Sequence, residues 1–221
     1  SGRTGFARPA DLGPLTVSAL EGETGHQRKE VRRLVRWLAR EVQPDVVHLS
    51  NALLIGLARE IRATVGARVV CSLSGEDVFI DQIPEPDRER IWELLRERAE
   101  DVDRFVALNQ FYAGAMGRRM GVAADRIAVI PHGVDLAAFP AEPPDLLARR
   151  KRRGGRLVIG FLARACPEKG LDQAIRALAL LAEGHDVELR AAGGTVAAER
   201  TYLKGCLALA ARGDRTIERA H

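Results

Sequence analysis

LVIGFLARACPEKGLDQA, residues 157–174, is the segment that decides the fold of this chain. Its first part, residues 157–161, is a short apolar run that predicts a strand buried on both faces. Its last part begins an apolar pattern with helical spacing, which is completed by Ile175, Leu178 and Leu181. The segment therefore predicts a strand, a turn and a helix, which is the repeating unit of a parallel α/β sheet.

The turn between this strand and helix carries Arg164 and Lys169. In a parallel sheet such a turn lies at the carboxyl ends of the strands and beside the amino terminus of the next helix, where an anion is favoured. Two further positive charges suit a diphosphate. The residues alone leave two interpretations open: a diphosphate site, or a solvated turn with ordinary surface cations.

Length and composition are those of a globular α/β protein with one or two units. The 221 residues exceed the usual domain size of about 100 to 150 residues. The 46% apolar and 29% charged residues are ordinary for a globular protein, and no apolar run approaches the ~20 residues of a membrane span. We therefore expect no integral membrane segment. Because residues 1–13 lack the pattern of a secretory signal, we also expect a cytoplasmic location.

Neither the cysteines nor the charge indicates a metal or a nucleic acid. Cys71, Cys166 and Cys206 form no Cys-x-x-Cys pair, so disulfides and a metal site are not expected. The net charge is +4, but arginines alternate with acidic residues over most predicted helices. The dense run RRKRRGGR, residues 149–156, follows two prolines, which favours a basic linker over a nucleic-acid or anionic-lipid patch.

Strands and helices alternate along the chain, which predicts right-handed βαβ units and parallel sheets. Residues 15–20, LTVSAL, are interpreted as strand-like, and His48 is interpreted as a core histidine inside a buried strand. The chain is expected to end without a closing strand, so the second sheet is predicted to be unfinished. The predicted strands are residues 45–50, 68–74, 104–108, 126–130, 157–161 and 187–193. The predicted helices are residues 26–42, 51–66, 87–101, 109–121 and 170–183, with a helical tail from residue 197.

Five stretches in this order resemble the family 4 (group 1) glycosyltransferases, which have the GT-B fold. They are PDVVHLSN at 44–51, SLSGED at 72–77, VIPHGVD at 129–135, GFLARACPEKG at 160–170, and the pair Gly193 and Gly194. The resemblance implies two Rossmann-like parallel-sheet domains, both incomplete here. It divides the chain into an acceptor-side domain at 1–140, a basic linker at 141–156, and a nucleotide-sugar-binding domain at 157–221.

The resemblance also implies an activity and its residues. Arg164 and Lys169 look like the catalytic pair that grips the diphosphate of a nucleotide-sugar donor and stabilises the charge on the leaving group. A hexosyl-type sugar would pass, with retention, to an unidentified acceptor, without cofactor or obligatory metal. The other candidate substrate-binding residues are Asn51, Gly75, Glu76, Asp77, Gly133, Glu168, Gly170, Gly193 and Gly194.

Several of these residues have a structural alternative. Glu76 and Asp77 either orient hydroxyl groups or cap the following turn. Asn51 is interpreted first as a helix cap, and Gly193 and Gly194 serve either packing or the donor. Trp37 and Trp92 are interpreted as packing residues of amphipathic helices.

Three departures from the family pattern leave the function open. Ser74 stands where the family often has histidine, the family's paired glutamates would lie beyond His221, and no Gly-rich loop precedes Leu15. A truncated or inactive remnant with a binding role is therefore the alternative function. A dinucleotide-dependent oxidoreductase is disfavoured, because no predicted strand is followed by Gly-x-Gly-x-x-Gly.

Overall fold

Two parallel sheets organise the part of the chain that the computed structural model describes, which is residues 11–138, 145, 148, 156–181, 186–211 and 217–220. The chain divides into two compact units, Ser1–Asp135 and Leu136–His221. Most of the predicted linker, residues 141–156, lies outside the described residues, so the predicted domain limits stay a prediction.

The sheet of the first unit has four strands in the order β1-β2-β3-β4, and every neighbouring pair is parallel. The strands are β1 (Val46–Leu49), β2 (Arg68–Leu73), β3 (Arg104–Ala107) and β4 (Ile127–Val129). Leu73 pairs with Ala107, and Ala107 pairs with Val129, so these strands end side by side. The loops that follow them consequently meet at one edge of the sheet.

Over residues 11–135 of the first unit, six α-helices surround one continuous core. They are α1 (Gly13–Glu21), α2 (Arg28–Trp37), α3 (Ala58–Val65), α4 (Glu76–Ile80), α5 (Asp87–Arg98) and α6 (Gln110–Met120). A π-helical turn, Leu38–Val42, extends α2, and a 3-10 turn, Ala52–Leu57, precedes α3. The core includes Leu73, Phe105, Ile91 and Met116. Gly66 and Gly121 end α3 and α6 in the left-handed conformation that glycine adopts most readily.

The strands predicted at residues 45–50, 68–74, 104–108 and 126–130 are present, but β1 is not a buried strand. β1 lies at the edge of the sheet and is largely exposed, with Val46 54% exposed. His48 is exposed too, and its Nε2 atom lies 2.8 Å from the Ser72 Oγ atom on β2. The interpretation of His48 as a core histidine was therefore wrong, because the unit buries only the opposite face of this sheet, where Cys71 lies.

The prediction of a strand at residues 15–20 was also wrong, because these residues lie in α1. Thr16 is one of the β-branched residues that favoured a strand, but its hydroxyl donates to the Leu12 carbonyl oxygen (2.8 Å). Pro14 occupies the first turn, where a helix tolerates it. Leu20 is fully buried in the core, so tertiary packing outweighs the local β propensity.

The second unit has a three-stranded parallel sheet in the order β5-β6-β7. Its elements are β5 (Leu157–Leu162), α7 (Leu171–Leu181), β6 (Val187–Ala192), α8 (Arg200–Ala211) and β7 (Ile217–Ala220). Ile175, Leu189 and Cys206 are buried in a separate core. The last residues of the predicted helix 170–183 lie outside the described part.

Two predictions for this unit were wrong. β5 is not buried on both faces, since Leu157 is 43% and Leu162 is 86% exposed. The chain does have a closing strand, because β7 pairs with β6 with Ile217 opposite Leu189. The segment IERA offered one large apolar residue, and its pairing depends on backbone groups that a sequence pattern does not show.

Across the described residues, we find no helix with both the length and the apolar character that a bilayer span requires.

Candidate functional site

The cationic turn lies at the carboxyl end of β5, as the sequence predicted. After β5 the chain forms a 3-10 turn, Pro167–Lys169, in which the Lys169 N–H donates to the Cys166 carbonyl oxygen (3.1 Å). Gly170 then adopts φ 72°, a left-handed conformation that favours glycine, and α7 begins at the next residue. The turn therefore presents its cations beside the start of a helix.

At Gly193, the backbone that follows β6 packs closely against the backbone of this turn. Gly193 has φ 146°, and a Cβ atom at this position would lie 1.9 Å from the Ala163 carbonyl oxygen. The Ala165 N–H donates to the Gly194 carbonyl oxygen (3.0 Å), which joins the same two segments. A Cβ atom on Gly194 would meet open space. The close backbone approach accounts for Gly193 by packing, whereas no packing constraint accounts for Gly194.

Arg164 is held by an acidic residue that sequence reasoning missed. Its Nε atom lies 3.1 Å from the Glu199 Oε1 atom, while 56% of its side chain remains exposed. Its Nη2 atom lies 3.7 Å from the Cys166 sulfur. The Cys166 thiol first, and the Glu199 carboxylate next, hold the pKa of the Arg164 guanidinium above its ordinary value. The turn therefore keeps Arg164 charged and partly accessible.

Glu199 also accepts the Val196 N–H through Oε2 (3.3 Å), three residues before it at the start of the turn leading into α8. An acidic residue three positions into a helix is a cap signal that the sequence does carry. What the sequence does not show is the partner, because Arg164 lies on another strand-to-helix connection.

The charges around the turn nearly balance. The pKa of the Glu168 carboxyl lies below its usual range, chiefly because its own backbone N–H contacts it, with the Cys166 side chain, Arg164 and Lys169 adding to the effect. Glu168 is therefore ionised at neutral pH. An anion entering this site would have to compete with carboxylates for the two cations.

The first unit brings a second group of predicted residues together at the carboxyl edge of its sheet. Glu76 is 5% exposed, and its Oε1 atom accepts the Ala52 N–H (2.9 Å) while its Oε2 atom accepts the Ser74 N–H (2.8 Å). These bonds tie the loop after β1 to the loop after β2. Both oxygens of Glu76 are thus occupied by backbone donors, which favours the capping alternative for this residue.

Tyr112, on α6, completes this group and was missed by sequence reasoning. Its hydroxyl accepts the Gly75 N–H (2.8 Å) and lies 2.9 Å from Asp77 Oδ1 and 3.1 Å from Glu76 Oε2, so its single proton is donated to one of these carboxylates. Burial and then the Glu76 charge raise the pKa of the Tyr112 phenol. The sequence signal was a tyrosine one turn into the helix that follows β3, a helix that Asn109 caps by accepting the Tyr112 N–H (2.8 Å).

The remaining candidates have separate positions. The Asn51 side chain accepts the Leu53 N–H (3.0 Å), which confirms it as a cap. Gly133 lies in the exposed segment that follows β4, and a Cβ atom there would meet open space. Phe111, beside Tyr112, is 83% exposed, which makes it a large apolar surface next to the polar group.

Comparison with known proteins identifies the chain. Residues 11–138 match the model of Glycosyltransferase Family 4. The chain belongs to this family. A search among curated protein sequences finds no match to this family 4 chain.

Solved structures resemble this family 4 chain over most of its length. HepE from Anabaena in complex with UDP-glucose is 17% identical, with a TM-score of 0.60 over 99% of this chain and 67% of that one. Sucrose-phosphate synthase from Thermosynechococcus elongatus is 16% identical, with a TM-score of 0.65 over 99% of this chain and 52% of that one. The apo form of the lipopolysaccharide outer core galactosyltransferase WaaB is 16% identical, with a TM-score of 0.55 over 88% of this chain and 49% of that one.

These likenesses establish the fold class. The chain has the mixed α/β architecture with parallel sheets of GT-B glycosyltransferases, as the sequence predicted. It spans about half to two thirds of the length of these three structures.

Proposed function

We propose that this chain is part of a glycosyltransferase that moves a hexosyl-type sugar, with retention, from a nucleoside-diphosphate donor to an acceptor. Membership of the family supports the reaction class. The observation that carries the donor assignment is the cationic turn after β5, where Arg164 and Lys169 lie beside the amino terminus of α7. HepE, which shares the fold, has been solved with UDP-glucose. The cytoplasmic location expected from the sequence belongs to the same proposal.

In this proposal Arg164 and Lys169 bind the donor diphosphate. Negative charge develops on the leaving nucleoside diphosphate as the bond to the sugar breaks, and cations fixed at that position stabilise it. A guanidinium binds two phosphate oxygens in a fork, whereas an ammonium acts as a point charge. Because these two groups supply positive charge, we expect no obligatory metal ion.

Glu199 is the residue that the donor would displace. Its carboxylate occupies one side of the Arg164 guanidinium at 3.1 Å, so a diphosphate must compete with it. Exposed ion pairs are worth only about 0 to 1 kcal/mol, so the competition costs little affinity. The pair would keep Arg164 extended near the turn until the donor arrives.

On the acceptor side we propose Asp77 as the group that orients a hydroxyl. Glu76 is committed to backbone donors, whereas Asp77 is only partly buried and contacts the Tyr112 hydroxyl at 2.9 Å. The exposed Phe111 ring would give a sugar or another apolar acceptor face a surface to pack on.

Calorimetric titration of the 221-residue chain with UDP tests the donor assignment. The Arg164→Ala, Lys169→Ala double variant should lose nucleotide binding, whereas Glu199→Gln should bind up to about fivefold more tightly because the competing carboxylate is gone. The matched control is the Arg88→Ala, Arg90→Ala variant on α5, which also removes two cations. Unchanged UDP binding in the double variant would contradict the assignment.

The alternative is a remnant that binds but does not react. The observation that favours this alternative is the near-neutral charge around the cationic turn, because Glu168 and Glu199 reduce the positive charge that would stabilise a leaving diphosphate. A turnover assay with a panel of sugar nucleotides separates the two functions, since the remnant would bind UDP without releasing it from UDP-sugars.

A further inference from the structure

Helix α2 and its π-helical extension carry an unusual concentration of positive charge. Residues 28–40 contain six cations: Arg28, Lys29, Arg32, Arg33, Arg36 and Arg40. All six are exposed. Glu30 is the one acidic residue in this interval, so the segment has a net charge of 6 − 1 = +5, against +4 for the whole chain. The chain outside the segment is therefore close to neutral.

Among the described residues, these cations differ from most other arginines of the first unit in forming no ion pair. Elsewhere in the described part of the first unit, eight arginines form ion pairs with carboxylates. Within the described residues no cation of α2 has a carboxylate within ion-pair distance, and Arg36 contacts only the Arg32 carbonyl oxygen (3.2 Å). The charge is thus left free to interact outside the molecule.

The outward side of α2 combines these cations with an exposed tryptophan. Val31 and Val35 fix the rotation of the helix, because both are buried in the core. Lys29, Arg33 and Arg36 recur at helical spacing on the opposite side. Trp37 lies among them and is 53% exposed, so its interpretation as a packing residue was wrong.

Apolar surface continues beside Trp37. Leu34, one turn earlier, is 40% exposed, and Leu54 on the facing 3-10 turn is 38% exposed. Both line an apolar groove of about 300 Å³ between α2 and that turn. Binding of a soluble polyanion would require only the cations. The exposed tryptophan and leucines add apolar surface, whose removal from water is favourable and which a soluble polyanion would leave uncovered.

We propose that α2 docks on the surface of a membrane that contains anionic lipid. Basic side chains would bind the headgroups, and Trp37 would lie at the headgroup level, where tryptophan is enriched in membrane proteins. Each lysine or arginine next to an anionic membrane surface raises the partition coefficient of the protein onto that surface about fivefold. This inference does not depend on the reaction proposed above, because α2 contains none of the candidate substrate-binding residues.

Vesicle binding by the 221-residue chain tests this proposal. The chain should partition onto vesicles of phosphatidylcholine mixed with phosphatidylglycerol, and not onto phosphatidylcholine alone. The Arg33→Gln, Arg36→Gln, Arg40→Gln variant should bind about a hundredfold more weakly. The matched control is Arg88→Gln, Arg90→Gln, Arg96→Gln on α5. Both variants have a net charge of 4 − 3 = +1, so a difference between them reports the position of the cations and not the net charge. The control should bind like the parent, because it keeps every cation of α2.

Tryptophan fluorescence supplies an independent measurement, because the chain has two tryptophans and Trp92 is only 7% exposed. Adding anionic vesicles should shift the emission of Trp37 to shorter wavelength, and Trp37→Phe should remove the shift while the Trp92 signal reports an intact fold. Equal loss of binding in the two triple variants would overturn the proposal. So would vesicle binding without the shift, no vesicle binding by the parent, or binding to heparin in preference to anionic vesicles.

Discussion

Gly193 illustrates how one backbone position holds a candidate site together. A side chain there would collide with the Ala163 carbonyl oxygen at 1.9 Å, and φ 146° is strained for any other residue. We expect Gly193→Ala to lower the free energy of unfolding of the second unit by about 2 to 4 kcal/mol. Urea denaturation with Gly194→Ala as control checks this, because Gly194 faces open space. Equal stability of the two variants would show that the close approach is absent.

Tyr112 holds the candidate site of the first unit together, as Gly193 does in the second unit. The Tyr112 hydroxyl contacts the Gly75 N–H and the Asp77 carboxylate, so Tyr112→Phe leaves a backbone donor without its acceptor. We expect the free energy of unfolding to fall by about 1 to 2 kcal/mol. The exposed neighbour provides the control, since Phe111→Ala should change it by no more than about 0.5 kcal/mol. Chemical denaturation of both variants measures the difference, and a larger loss in Phe111→Ala would refute the assigned roles.

Residue chemistry was predictable from the sequence where it is local. Asn51 as a cap depends on the two residues that follow it, and the structure shows that bond. Tyr112 with Glu76, and Arg164 with Glu199, depend on partners from different strand-to-helix connections. Such pairs follow from the order of strands in the sheet, which the pattern of apolar residues does not specify.

At the scale of elements, alternation of strands and helices predicted most of the fold, because the buried side of each element repeats regularly. The predictions were wrong where the secondary structure or burial of an element depends on the elements packed against it. Residues 15–20 are β-branched in part yet form α1, since Leu20 enters the core. β7 was missed because an edge strand of one large apolar residue is specified by backbone pairing. β1 and β5 were expected to be buried, but each lies at the end of its strand order.

Asp103 joins two elements and makes the stability of the first unit depend on pH. Its carboxylate accepts the Val69 N–H and an Arg68 N–H, both at 2.8 Å, which links the starts of β2 and β3. Burial alone would raise the pKa of Asp103, but the Val69 N–H and the guanidinium groups of Arg68 and Arg62 outweigh it, so the pKa lies below its ordinary value. The stabilisation is therefore complete above the unfolded pKa of about 3.9 and is lost as pH falls through the lower folded pKa.

We expect Asp103→Asn to lower the free energy of unfolding by about 1 to 2 kcal/mol at neutral pH. The difference from the parent should shrink as pH falls below about 4, because the parent's carboxylate then becomes protonated. Urea denaturation across this pH range measures it. Asp125→Asn is the control, since Asp125 is exposed. If the difference in the free energy of unfolding grew toward acid pH, the pKa of Asp103 would lie above its ordinary value, which would contradict the prediction.

At the scale of the whole chain, each unit has its own core, and each carries a different candidate role. The first unit holds the Glu76 and Tyr112 group, and the second holds the cationic turn. The proposed donor contacts all belong to the second unit. A nucleotide that binds there should stabilise that unit by linkage, since it binds the folded form and not the unfolded one.

We expect UDP at ten times its dissociation constant to stabilise the second unit by about 1.4 kcal/mol, which slows amide exchange in its core about tenfold. Hydrogen exchange read by mass spectrometry should show this protection in β5, α7 and β6, and it should be strongest over residues 163–170 and 193–199. The core amides of the first unit should exchange as before. The Arg164→Ala, Lys169→Ala variant should show no protection at the same concentration. Protection centred on the first unit would place the nucleotide at the wrong sheet and would require the donor and acceptor roles to be exchanged.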